Sequence, residues 1–80
     1  MRILDVDNNI AINNTTLYLR IEEAKELYDS IGALLKANDF SEHIHINDAS
    51  YEHEITIVLY DEQQMGSLSE RSQKIILKDV

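Results

Sequence analysis

Apolar and polar positions along this chain shift between the alternation of a strand and the 3.6-residue recurrence of a helix, so the elements are read in order from the N-terminus. "ILDV" and "IAI" flank Asp7-Asn8-Asn9. Asparagine is the non-glycine residue that best tolerates left-handed backbone geometry, so this stretch predicts a β-hairpin. A loop of three residues sets Val6 against Ile10 and Leu4 against Ile12, with four apolar side chains on one face; a loop of two opposes Asp5 to Ile12. The three-residue loop is the expectation. A second turn near Asn13-Asn14 leads into "TLYLR", whose Leu17 and Leu19 join the same face while Tyr18 points away, completing a three-strand meander.

From Ile21 to about Ala37 the recurrence becomes helical, with Ala24, Leu27, Tyr28, Ile31, Leu34 and Leu35 along one face. Glu22 and Glu23 at its start and Lys36 near its end suit the helix dipole, and Asn38-Asp39 is a stop. Two more strands follow, Glu42 to Asn47 and Tyr51 to Tyr60, joined by the turn-rich "NDAS". After "DEQQMG", Ser67-Leu68-Ser69-Glu70 has the spacing of a capping box, which opens a short C-terminal helix carrying Leu68, Ile75 and Ile76 inward. The expected architecture is α+β, in the order β-β-β-α-β-β-α. An antiparallel sheet of about five strands is crossed by the long helix, and residues 1–80 form a single domain.

Length and composition limit what such a domain does. Its 80 residues are 44% apolar and 28% charged, an ordinary globular balance with a thin core, so self-association into a homo-oligomer is expected. The absence of cysteine removes disulfides, thiolate metal sites and a thiol nucleophile. No segment has the apolar continuity of a membrane span, and "MRILDVDNN" reaches an acid by residue 5, so a cytoplasmic protein is expected. "DVDNN" imitates the start of a calcium loop, but Ile10 stands at the turn glycine and Thr16 at the bidentate glutamate. With only Gly32 and Gly66, glycine-rich phosphate loops and the nucleophile elbow are excluded. No serine lies in a nucleophile motif, and no cofactor is implied. A non-enzyme is expected.

All three histidines fall between residues 43 and 53, among carboxylates. His43 and His45 share a strand face, a common way for zinc to collect two ligands. With an even-length loop, Ile46 opposes Tyr51 and Ile44 opposes His53, while His43 and His45 lie across from Glu54 and Glu52. The plain reading is two imidazole-carboxylate pairs on a solvated face. The alternative is a divalent metal or small ligand held by His43, His45, Glu52 and Glu54.

The net charge of −8 is uneven. From Ala37 through Glu70 there is no Lys or Arg, while eight carboxylates lie there. Such a surface repels phosphate backbones and anionic membranes and attracts a basic protein surface. The expected contact residues are Glu42, Glu52, Glu54, Tyr60, Asp61 and Glu62, with Tyr18 and Tyr51 as further aromatic anchors; Tyr28 and Phe40 are expected in or near the core.

The stretches "LYLRIEEAKEL", "HIHIND…YEHEITIVLYDE" and "LSERSQKIIL" together resemble a group of small acidic proteins of Gram-positive bacteria and their phages. The resemblance covers most of the chain and carries no catalytic motif. It implies an accessory role, such as a phage counter-defence protein or a toxin immunity protein.

Overall fold

A computed structural model of the chain describes residues 1–37 and 43–80, with the element order β1 (Ile3–Asp5), β2 (Ile10–Ile12), α1 (Ile21–Ala37), β3 (His43–Asn47), β4 (Glu54–Val58) and α2 (Glu70–Lys78). The α+β class holds, but the strands form two separate two-stranded antiparallel sheets, β1-β2 and β3-β4, in place of one sheet of five. The chain divides into two compact units, Met1–Leu17 with Met65–Val80, and Tyr18–Gln64.

In the first unit the hairpin register is Ile3 with Ile12, Leu4 with Ala11 and Asp5 with Ile10, which leaves a four-residue loop, Val6 to Asn9. The expected three-residue loop is therefore corrected, and Val6, expected on the apolar face, is 73% exposed. The cause is Asp5. Its carboxylate accepts hydrogen bonds from the Asn8 backbone amide at 3.2 Å and the Asn8 side chain at 2.8 Å, an Asx-type closure that needs the longer loop. Asn9 supplies the left-handed residue, φ 55°. The same oxygens that resemble a calcium loop in sequence thus serve the turn, and the Asn8 bonds hold the Asp5 carboxyl below its ordinary range.

No strand forms over "TLYLR": Leu17 and Tyr18 are exposed, and Arg20 is already committed to the helix start. Its backbone amide donates to the Glu23 carboxylate at 2.8 Å, and its carbonyl accepts from Ala24 at 2.9 Å. The third strand of the meander is therefore replaced by an irregular lead into α1.

Two arginines tie the ends of the first unit together. Arg2 donates from Nε to the carbonyls of Ile75 and Ile76 at 3.0 and 3.3 Å, in the C-terminal turn of α2, where the Ile75 carbonyl also accepts from the Asp79 amide at 2.9 Å and the negative end of the helix dipole favours a cation. Arg71 donates to the Asn9 side chain at 2.5 Å and to the Val80 carbonyl at 2.6 Å. Ile75 and Ile76 are the buried residues of this unit, as the sequence predicts, with Leu68 half-buried. The helix starts two residues later than the capping box suggests: Ser69, not Ser67, is the N-cap, accepting from the Ser72 amide at 3.1 Å. Glu70 is then the first helical residue and does not close a box.

In the second unit α1 has the expected bounds and packs on β3. Its covered face is narrower than expected. Leu34 is buried and Leu27 and Ile31 half-buried, whereas Tyr28 and Leu35, expected inward, are 79% and 65% exposed and Ala24 is exposed with them. A hairpin of two strands, spaced about 4.8 Å apart, covers only part of an apolar arc that a broad sheet would cover entirely. Phe40 and the Asn38-Asp39 stop lie outside the described residues.

Candidate functional site

The β3-β4 hairpin sorts its side chains by alternation. Ile44 pairs with Ile57 and Ile46 with Ile55, and Ile46 is buried; the opposite face carries His45 against Thr56 and His43 against Val58. The expected grouping of isoleucines, with both histidines on the other face, holds. The partners do not: Glu54 pairs with Asn47, and Glu52 lies in the turn. The loop runs from Asp48 to His53, two residues longer than expected, so parity is kept while the register slides along β4 by four positions.

Asp48 builds that longer turn. Its Oδ1 accepts from the Glu52 amide at 2.9 Å, the His53 amide at 3.3 Å and the Ser50 hydroxyl at 3.3 Å, while Oδ2 accepts from His53 Nδ1 at 2.6 Å. Tyr51 takes the left-handed conformation, φ 56°, at the tip. His53, expected beside the isoleucines, is thus a turn residue facing solvent. The bond from His53 holds the Asp48 carboxyl down at about 2, and Asp48 in turn raises the imidazole of His53.

Ser50, Asp48 and His53 are the three residue types of a hydrolytic triad, but the order of contacts is wrong for one. In a working triad the imidazole stands between hydroxyl and carboxylate and takes the hydroxyl proton. Here the carboxylate stands between the other two, so the serine proton points to Asp48 and no base activates Ser50.

On the histidine face, His45 Nδ1 lies 2.7 Å from Glu54 Oε1 and 2.9 Å from Thr56 Oγ1. The rings of His43 and His45 meet edge to face with centroids 4.8 Å apart. Both expected histidines are therefore neighbours, but Nδ1 of His45 is engaged by Glu54 and Glu52 is not on this face. Among the described residues no group of three or more His, Asp or Glu is arranged to hold a metal ion.

The other expected contact residues scatter. Glu52 and Glu62 are exposed; Tyr60 and Asp61 are half-buried; Glu42 lies outside the described residues. Asp61 is engaged locally, its Oδ1 accepting from the Gln63 amide at 2.9 Å.

A different concentration of acid is the main feature of this unit. Where the first turns of α1 meet the β3-β4 turn, an open cleft of about 690 Å³ is lined by Glu22, Glu23, Glu26 and Asp48 together with Arg20 and Tyr18. Tyr18 is 93% exposed and Tyr51, next to the lining residue Ser50, is 80% exposed. Sequence reasoning treated Glu22 and Glu23 as dipole partners of the helix, and the turn as a connector. The signal that joins them is the acidic spacing Glu22, Glu23, Glu26, which turns one arc of the helix into carboxylate; only the tertiary contact of α1 with β3 brings Asp48 to it.

No protein-family model, curated protein or solved structure matches this chain. None of the described helices is long and apolar enough to cross a membrane.

Proposed function

We propose that this chain is a non-enzymatic binding protein that holds a basic segment of a protein partner on the acidic surface of residues 18–64, and that it inhibits the partner by covering that segment. The observation that carries the reading is the open cleft between α1 and the β3-β4 turn, lined by four carboxylates and one arginine, with an exposed tyrosine beside them. Lysine and arginine side chains are attracted by such a concave acidic surface more strongly than by the same charges spread on a convex one, because low-dielectric walls concentrate the field. Tyr18 and Tyr51 offer large, rigid contact area and cation-π faces for guanidinium groups. Glu52 and Glu62 extend the negative potential beyond the cleft and steer the approach of the partner.

Asp48, Ser50 and His53 serve the turn rather than a reaction, which supports binding over catalysis. The overall charge of −8 disfavours nucleic acid and anionic lipid as partners. The test is a titration with a short peptide of lysine, arginine and glycine, followed by calorimetry at low salt. The account predicts binding that weakens as salt rises and falls about tenfold or more in a Glu22→Gln/Glu26→Gln variant. Equal affinity of that variant would reject the cleft.

A further inference from the structure

We propose that the outer face of α1 pairs with α1 of a second copy of this chain, antiparallel, with Tyr28 at the two-fold axis. The inference uses a different arc of the helix from the acidic cleft and does not depend on the binding role proposed above.

Ile21, Tyr28 and Leu35 are 73%, 79% and 65% exposed and stand seven residues apart on one side of α1, with Ala24 between the first two. A seven-residue apolar repeat is the seam of a two-helix coiled coil rather than of a helix lying on a sheet. Apolar residues in such a line on a solvent face mark an interaction surface, whereas isolated ones do not.

Three features of α1 select a second copy as the occupant. First, the stripe is symmetric about Tyr28: in an antiparallel pair Ile21 meets Leu35 of the other copy. Second, small residues flank Tyr28 symmetrically. Ala24 and Gly32 stand four residues to either side, and a Cβ built on Gly32 meets nothing within 4 Å, so each tyrosine ring has room to lie over the other helix. Third, the flank of the stripe away from the acidic cleft carries Lys25, Asp29 and Lys36, one acid and two bases. Antiparallel pairing about Tyr28 brings Lys25 of one copy near Asp29 of the other, each with its opposite.

A flank of two bases and one acid, in a chain of net charge −8, suits a copy of itself better than the basic partner of the cleft. One helical seam of 17 residues is about 25 Å long, shorter than most stable interfaces need, so the dimer is weak and concentration-dependent.

The chain lacks cysteine, so single cysteines report the geometry without background. Sedimentation velocity from about 10 µM to about 1 mM should move the mass from 9.2 kDa toward twice that value. Under mild oxidation Tyr28→Cys should cross-link to itself. Ile21→Cys alone should not, but should cross-link to Leu35→Cys when the two variants are mixed. Tyr28→Glu and Leu35→Glu, both at exposed positions, should keep the helical circular dichroism and raise the dimer dissociation constant about tenfold or more. A monomer throughout the concentration range, self-linking of Ile21→Cys, or unchanged association of both glutamate variants would each overturn the proposal.

Discussion

His53 donates from Nδ1 to Oδ2 of Asp48 across 2.6 Å, closing a six-residue turn that also uses the amides of Glu52 and His53. The contact gives the turn a defined pH window. Asp48 has its carboxyl lowered from 3.8 to about 2, first by the His53 bond, so its contribution is complete above 3.8 and is lost as pH falls through about 2. His53 is raised above 6.5, first by the Asp48 bond, so its contribution is complete below 6.5 and is lost as pH rises through the raised value.

Both groups are open to solvent, and the readout is therefore local. Ring resonances of His53 should titrate above 6.5, and Asp48→Asn should bring that midpoint back down. Protection of the Glu52 amide should be greatest between 3.8 and 6.5 and should decline on either side. A His53 midpoint unchanged by Asp48→Asn would contradict the pairing.

The two arginines of the first unit predict a different effect. Arg2→Ala removes the donor that meets the Ile75 and Ile76 carbonyls, and Arg71→Ala removes the link from α2 to Asn9. Each variant should lose about 1 kcal/mol in urea unfolding followed by circular dichroism. Arg71→Lys should recover little, since an ammonium does not reproduce the fork that spans Asn9 and Val80. Unchanged unfolding midpoints in both alanine variants would show that these contacts do not hold the unit.

The position of the α2 cap separates two serines. Ser69→Ala should destabilise by about 1 kcal/mol through loss of the acceptor for Ser72, while Ser67→Ala should be neutral. Thermal melts of the two variants decide it. A larger loss at Ser67 would return the cap to the position suggested by the spacing of Ser67 and Glu70.

What was legible in the sequence is what depends on neighbours a few residues apart. The bounds of α1 follow from local periodicity, and the shared face of Ile44, Ile46, Ile55 and Ile57 follows from parity, which a loop lengthened by two residues leaves intact. Where side chains compete with the ladder, local pattern fails. Asp5 and Asp48 each draw amides into longer turns, and those bonds, not the apolar alternation, decide both loop lengths.

The number of strands was illegible for another reason. "TLYLR" alternates as a strand does, yet Arg20 enters the capping contact with Glu23, and among the described residues no partner strand pairs with the segment. The site itself was half legible. The acidic stretch after Ala37 is plain in the sequence, but the joining of its Asp48 to Glu22, Glu23 and Glu26 depends on how α1 packs.

The central claim is that basic protein segments bind in the cleft between α1 and the β3-β4 turn. Amide chemical-shift mapping with the lysine-arginine peptide tests it most directly. The account predicts the largest shifts at Arg20, Glu22, Glu23, Glu26 and residues 47–50, with small ones at Glu62 and at Glu70. Shifts spread evenly over all acidic positions, or centred on Glu70 and α2, would contradict it.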